Sequence, residues 1–122
     1  MPLVRIDMSD DIDHDMQVRI SDAINAGLVE AIDMPPADRF QIFTRHPAGD
    51  LVFDTTFPGG IKRERVIYLE VLLSRGHSDE AKGAIGQSIN TELVKCGIRS
   101  DDVFIAMKEN GSSDWCAGIA TP

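Results

Sequence analysis

The fold of this chain is organised around its first stretch, Met1-Pro2-Leu3-Val4-Arg5-Ile6-Asp7-Met8. The apolar and β-branched residues from Leu3 to Met8 predict a β-strand. Pro2 heads that strand, which a sheet tolerates because proline lacks a backbone donor. Methionine before a residue as small as proline is normally removed, so we expect Pro2 to become the N-terminal residue, with a secondary amine.

An amine held at the head of a rigid strand is chemically useful. A free α-amine has a pKa near about 7.7–8.0, and burial or nearby cations lower that pKa. Pro2 is therefore a candidate general base or acid at neutral pH. The alternative is that Met1-Pro2 only starts the chain, and the dipeptide taken alone favours this alternative.

The composition and net charge limit the classes of protein to which this chain can belong. The chain has 122 residues, of which 43% are apolar and 26% charged, and this predicts one globular domain over residues 1–122. A net charge of −8 argues against nucleic acid as a partner and requires any anion site to be locally basic. Neither a membrane-spanning run nor a signal peptide is predicted. Cys96 and Cys116 fit no metal spacing and no disulfide framework, so a cytoplasmic protein without a metal is expected.

The chain repeats one β-α-β pattern, in halves at about 2–57 and 63–122. The predicted elements are a strand at 3–8, a helix at about 13–32, a strand at 39–44, a strand at 65–74, a helix from 78–80 onward and a strand at 103–108. Four-residue spacing gives both helices matching apolar faces: Ile20, Ile24 and Leu28 in the first, Ile85, Ile89 and Leu93 in the second. Two such units predict an α/β fold, a four-stranded sheet with two helices on one face.

Local signals mark the ends of these elements. Acidic residues around Asp13 suit the start of the first helix, Ser78 or Asp79 can cap the second, and Gly97 can end it. The linker at 50–62 is predicted to be a loop with room for a short hairpin. Because two helices cover only one face of the sheet, the open face predicts self-association.

Five short segments, in chain order, carry a resemblance to a known family. They are Met1-Pro2-Leu3, Asp38-Arg39-Phe40-Gln41-Ile42, Ser74-Arg75-Gly76, Glu109-Asn110-Gly111 and Asp114-Trp115. Together with the doubled β-α-β pattern they resemble the tautomerase superfamily, and within it the malonate semialdehyde decarboxylase branch. The resemblance implies a tautomerase-like fold and a homotrimer with active sites near the N-terminal prolines. It also implies an enzyme that needs neither a metal nor an organic cofactor.

The same resemblance implies roles for individual residues. Pro2 would be the catalytic amine, Arg75 the cation that binds a substrate carboxylate, and Asp38 a polar partner of the amine or of a water. Trp115 would form part of an apolar wall. Beyond what the resemblance implies, Arg39 and His77 are further candidate substrate-binding residues, and His77 could hydrogen-bond a substrate or bind it as a cation at low pH. The decarboxylase pattern has a second arginine two residues after the first, and this chain has His77 at that position.

Three functions stay open at this point. The first is a keto–enol tautomerase, an isomerase acting on a small 2-keto or 3-oxo carboxylate with Pro2 as base. The second is a malonate semialdehyde-type decarboxylase, a lyase. The third is a catalytically silent trimeric binding protein of the same fold. The structural alternatives also stay open: Arg75 as a solvated loop arginine, and Asp38 as the residue that ends the Pro35-Pro36 turn.

Overall fold

The computed structural model describes residues 2–118. Its elements are β1 (Leu3–Ser9), α1 (His14–Ile32), β2 (Gln41–His46), β3 (Ile67–Ser74), α2 (Asp79–Lys95) and β4 (Val103–Asn110). The strands lie in the order β2-β1-β3-β4, with β1 parallel to β2, β3 parallel to β4 and the central pair antiparallel. The two consecutive β-α-β units predicted from the sequence are therefore confirmed.

One side of the sheet carries the core. Alternate residues of the two central strands are buried there: Val4, Ile6 and Met8 in β1, and Ile67, Leu69, Val71 and Leu73 in β3. Successive side chains of a strand point to opposite faces, so these residues meet the helices and their neighbours do not. The apolar positions at matching spacing in α1 and α2 are all buried against this side, as their pattern predicted.

The two helices pack closely at one small residue. A Cβ added to Gly27 of α1 would lie 2.7 Å from the Cα of Ile89 in α2, a distance that real side chains do not tolerate. The Ser88 hydroxyl also donates a hydrogen bond to the Gly27 carbonyl oxygen at 2.7 Å. Gly27 is thus required by the approach of the two backbones, which fixes α2 on the sheet beside α1.

The helix ends follow the predicted signals. The Asp13 carboxylate accepts a hydrogen bond from the Met16 N–H at 2.8 Å, and the Ser78 hydroxyl accepts one from the Ala81 N–H at 3.1 Å. Gly97 follows α2 with a φ of 104°, in the left-handed region that glycine adopts without strain.

Several strand bounds and one loop differ from the sequence prediction. β3 begins at Ile67 rather than 65, and β4 continues to Asn110 rather than ending at 108. β2 begins at Gln41 rather than 39, because the preceding residues form a turn and a contact to α1. The hairpin considered for residues 50–62 is wrong, since the whole of that segment is loop. Arg63 holds this loop instead: its guanidinium donates to the carbonyl oxygens of Phe57 at 2.8 Å and Asp101 at 2.7 Å. These two hydrogen bonds attach the loop to the segment just before β4, so the loop is held without a paired strand.

The opposite side of the sheet is covered by neither helix. It presents apolar and charged side chains together, among them Leu3, Arg5, Tyr68, Glu70, Leu72, Phe104 and Lys108. The rings of Tyr68 and Phe104 pack in a tilted arrangement with centroids 5.5 Å apart, and Lys108 pairs with Glu70 at 3.3 Å. This surface, called the open face below, is mixed rather than uniformly apolar.

Within residues 2–118, no helix is long and apolar enough to cross a membrane. The same part of the chain contains no group of three or more histidine, cysteine, aspartate or glutamate residues placed to hold a metal ion.

Candidate active site

The sheet topology brings the predicted site residues to one end of the molecule. β1 runs parallel to β2 and antiparallel to β3 and, through it, to β4. The first residues of β1 and β2 therefore lie beside the last residues of β3 and β4. Pro2, the segment 38–40, Arg75 and the segment 109–115 all border this end of the sheet, which is called the proline end below.

Pro2 is buried where β1 begins. Leu3 pairs with Leu72 of β3, and the Val4 N–H donates to the Phe40 carbonyl oxygen at 3.0 Å, so both neighbouring strands fix this backbone. The alternation along β1 puts Pro2 on the helix side, with Val4 and Ile6. Met1 lies outside the described residues, and its removal stays a prediction.

Arg75 follows β3 directly, and its backbone is anchored to β4. Its N–H donates to the Asn110 carbonyl oxygen at 2.8 Å, which continues the ladder between Ser74 and Asn110 by one bond. The residue is exposed, and within residues 2–118 no carboxylate forms an ion pair with its guanidinium. A guanidinium held on a fixed backbone without an internal counter-ion is suited to an external anion.

The Arg75 side chain lies directly against Gly111. A Cβ built on Gly111 would lie 3.1 Å from Nη1 of Arg75, so the guanidinium rests against this backbone. The Gly111 N–H in turn donates to Oδ2 of Asp114 at 2.7 Å, which closes the turn after β4. The absence of a side chain at Gly111 therefore lets Arg75 lie flat beside the end of β4.

His77 stands between Arg75 and the start of α2. It is half-buried, one residue before the helix cap Ser78. The pKa of the nearby Glu109 carboxylate is lowered mainly by a hydrogen bond from Lys82, and the charges of His77 and Arg75 add to this effect. His77 therefore lies near Arg75 and Glu109 at the proline end, and its contact with a substrate stays a prediction.

Asp38 closes the turn before β2. Its N–H donates to the Pro35 carbonyl oxygen at 2.9 Å, and the residue is half-buried. This bond gives the backbone of Asp38 the turn role considered as an alternative. Because Asp38 lies at the proline end, its carboxylate remains available as a polar partner of the Pro2 amine or of a water. That role stays a prediction.

Arg39 points away from Pro2 towards α1. Its Nη1 donates to Oδ1 of Asp22 at 2.7 Å and to the Ser21 hydroxyl at 3.2 Å. These contacts tie the start of β2 to the first helix. They engage the charge of Arg39 with an internal carboxylate, so the structure gives it a packing role, and its substrate-binding role stays a prediction.

Trp115 is half-buried beyond the turn after β4, and its role in an apolar wall stays a prediction. Its indole Nε1 is inaccessible to solvent and finds no hydrogen-bond partner among residues 2–118, and the same holds for the amide oxygen Oδ1 of Asn110. Buried polar atoms normally find a partner. An unpaired donor and an unpaired acceptor, both carried by the segment that anchors Arg75, suit a site that a ligand or another subunit completes.

Three residues of this end were not identified as site residues from the sequence. They are Lys82 and Glu109, which form an ion pair, and Asn110. Glu109 and Asn110 belong to one of the segments that carried the family resemblance, and this was the available signal. Lys82 lies on a different element, and no local pattern connects it with β4.

A cavity of about 470 Å³ lies at the other end of the sheet. Arginines line it, but each has carboxylate partners: Arg65 pairs with Asp11 at 3.1 Å, and Arg99 with Asp102 at 3.5 Å. Its cations are thus internally neutralised, whereas Arg75 is not. We therefore place the candidate active site at the proline end, despite the size of this cavity.

Comparison with known proteins gives the same family as the sequence segments. The model of a family described as tautomerase enzymes matches residues 38–118. The probable tautomerase YrdN of Bacillus subtilis (strain 168) is 30% identical over 120 residues, or 98% of this chain and 92% of that protein. The chain belongs to the tautomerase family.

Solved structures place it more closely within that family. A malonate semialdehyde decarboxylase inhibited by 3-bromopropiolate superposes with a TM-score of 0.90 at 33% identity, covering 98% of this chain and 91% of the other. A malonate semialdehyde decarboxylase described with decarboxylase and hydratase activities gives 0.88 at 30% identity, over 98% and 92% of the two chains. The resemblance to this branch is confirmed.

Proposed function

We propose that this protein is a cofactor-independent keto–enol tautomerase of a small 2-keto or 3-oxo carboxylate, with Pro2 as general base and acid. One observation carries the proposal. The topology puts the buried head of β1 and the unpaired guanidinium of Arg75 at the same end of one sheet. A proton-transfer group and an anion anchor on rigid neighbouring strands are two of the three parts that this reaction requires, the third being a group that stabilises the developing enolate.

The proposed reaction moves one proton. After removal of Met1, the neutral amine of Pro2 takes a proton from the carbon next to the substrate carbonyl, and the electron pair of that C–H bond forms the enolate. Arg75 holds the substrate carboxylate in a bidentate contact. The protonated amine then gives the proton to the oxygen and the enol forms, or the steps run in reverse. Asp38 would act as a polar partner of the amine, and Trp115 as an apolar wall.

The test is an activity panel on the mature chain. Intact mass and the N-terminal sequence first establish whether the chain begins at Pro2. Enol absorbance is then followed with several 2-keto acids, phenylpyruvate among them, beside carbon dioxide release from malonate semialdehyde. Enol–keto conversion well above the buffer rate supports the proposal. A chain that begins at Pro2 and converts none of these acids would instead favour a silent binding protein.

Decarboxylation is the second candidate, because the 33% identical structure with a TM-score of 0.90 is a malonate semialdehyde decarboxylase. This reaction must hold the carboxylate out of the carbonyl plane and polarise the carbonyl oxygen. A second arginine near the first would do this at pH 7. At that position this chain has His77, which offers one donor in place of a fork.

We expect His77→Arg to shift activity towards decarboxylation. The ratio of malonate semialdehyde decarboxylation to enol–keto conversion should rise about five- to tenfold, the scale of one added charge-assisted contact in a partly exposed site. The measurement is kcat/KM for both reactions at pH 6 and pH 8. His14→Arg, an exposed change at the start of α1, is the matched control and should leave the ratio unchanged. Efficient decarboxylation by the unmodified protein at pH 8 would make the lyase the first choice.

We also propose a homotrimer assembled through the open face. Neither helix covers this face, and within residues 2–118 only the loop around Val52 and Arg63 contacts it, at Tyr68 and Phe104. It carries partly exposed apolar side chains such as Leu72 and Phe104 between charged ones. A fused 4-OT with this fold, at 18% identity and a TM-score of 0.77 over 95% and 91% of the chains, is itself a symmetric trimer. The unpaired Trp115 Nε1 at the proline end would also find a partner in a neighbouring subunit.

Sedimentation at micromolar concentration is expected to give three times the mass of one chain. Leu72→Asp should yield monomers, because it buries a charge in the proposed interface. Val18→Asp is the matched control: it adds the same charge on an exposed position of α1 and should remain trimeric. Monomeric sedimentation of the unmodified chain would contradict the proposal.

A further inference from the structure

An ion pair at the proline end links α2 with β4. Lys82 lies one turn into α2, and its Nζ contacts Oε1 of Glu109, next to the last residue of β4. The two side chains keep 32% and 27% of their surface exposed, so the pair lies at the surface and is only partly shielded from water. The hydrogen bond from Lys82 lowers the pKa of Glu109, and the same bond raises the pKa of Lys82. The pair is therefore charged throughout the neutral range.

Glu109 also lies close to the candidate anion site. It pairs with Leu73 in the β3–β4 ladder, and Asn110, the next residue, accepts the backbone bond of Arg75. The charges of His77 and Arg75 both act on the Glu109 carboxylate. Even so, the contact of Glu109 is with Lys82, and the guanidinium of Arg75 has no ion-pair partner within residues 2–118.

We propose that Lys82 is a positioning residue for the anion site: by binding Glu109 it keeps this carboxylate from Arg75, so that Arg75 remains available to a substrate carboxylate. Without Lys82, Glu109 would retain Arg75 as a cationic neighbour, with the His77 imidazole also nearby. The long and exposed Arg75 side chain would then turn to Glu109. A substrate would have to displace a carboxylate that is covalently tethered beside the site and thus present at high effective concentration.

The inference rests on the proposed role of Arg75, and it predicts a defect in affinity rather than in chemistry. Lys82→Met should raise KM for a 2-keto acid about three- to twentyfold, as expected when a charge-assisted contact in a partly exposed site must first be broken. The value of kcat should change by less than about twofold, because Pro2 is untouched. Lys82→Arg, which keeps the charge, should behave as the unmodified protein.

The second variant tests whether Glu109 is the competitor. Adding Glu109→Gln to Lys82→Met should restore KM to within about twofold of the unmodified value. Glu109→Gln alone should not raise KM. A large fall in kcat for Glu109→Gln would overturn the proposal, because Glu109 would then take part in the chemistry.

Lys95→Met is the matched control. Lys95 pairs with Glu92 at 3.2 Å in the last turn of the same helix, far along α2 from the proline end. This change removes the same charge and the same kind of ion pair, so an equal rise in KM would mean that net charge alone is responsible. It would overturn the positioning role.

Pyruvate binding, followed by NMR through the Arg75 Nε–H signal, separates this inference from the proposed reaction. Pyruvate should perturb that signal in the unmodified protein, and the affinity for pyruvate obtained from the titration should be about three- to twentyfold lower in Lys82→Met. In that variant Glu109 should contact Arg75, and the Arg75 Nε–H should therefore exchange with solvent more slowly. If binding depends on Lys82 but no keto acid is turned over, the reaction is wrong and the role of Lys82 stands. Equal pyruvate affinity in both proteins, or none in the unmodified protein, would overturn that role.

Discussion

Pro2→Ala is expected to lower kcat/KM for enol–keto conversion by about 10²–10⁴-fold, the usual contribution of a positioned general acid or base. Alanine still supplies an amine once Met1 is removed, but a primary one, of different basicity, on a backbone that no ring restrains. The buried position at the head of β1 is held by bonds from both neighbouring strands, so the fold should survive the change. The measurement is kcat/KM across pH, beside thermal unfolding.

A second proline provides the control for this experiment. Pro47 is exposed just after β2, away from the proline end, and Pro47→Ala should keep full activity. A chain that retains Met1 should be as inactive as Pro2→Ala, because its Pro2 nitrogen is part of a peptide bond. A loss well below tenfold in Pro2→Ala would show that the amine is not the base.

The fold could be predicted because its signals are local and repeated. The apolar positions of α1 and α2 recur at four-residue spacing, and all six are buried. Caps at Asp13 and Ser78 then set where each helix begins. The hairpin in 50–62 failed for the opposite reason. The partners that hold that loop, such as the Asp101 carbonyl for Arg63, lie far along the chain and leave no mark in the local pattern.

The same distinction between local signals and long-range contacts separates the site residues that the sequence identified from those that it missed. Arg75 was identified through the family resemblance, and His77 because it stands where the decarboxylase pattern has a second arginine. Both positions lie at a junction of a predicted strand and a predicted helix, which the structure reproduces between β3 and α2. Arg39 was predicted to bind substrate on its sequence position alone. The structure pairs it with Asp22, on the preceding helix, and this contact depends on how α1 packs on the sheet. The Lys82–Glu109 pair was missed because it too exists only after α2 has docked on β4.

Arg75→Ala should act mainly on substrates that carry a carboxylate. A lost charge-assisted contact is worth about 1.5–3 kcal/mol, hence about a ten- to over a hundredfold fall in kcat/KM. The effect should be visible because within residues 2–118 no carboxylate forms an ion pair with this guanidinium, which rests against Gly111. Stability should be little changed, since the side chain is exposed and its backbone bond to Asn110 remains.

The comparison that isolates this effect uses a 2-keto acid and its neutral methyl ester. With the acid, Arg75→Ala should lose about ten- to a hundredfold, while with the ester it should lose less than about threefold, because the ester offers no charge to a guanidinium. Arg19→Ala removes the same charge from an exposed position on α1 and should leave both rates intact. Gly111→Ala, whose Cβ would lie 3.1 Å from Nη1, should reproduce part of the loss by moving the guanidinium. If acid and ester lose equally in Arg75→Ala, the carboxylate is bound elsewhere, and Arg75 would be a solvated loop residue.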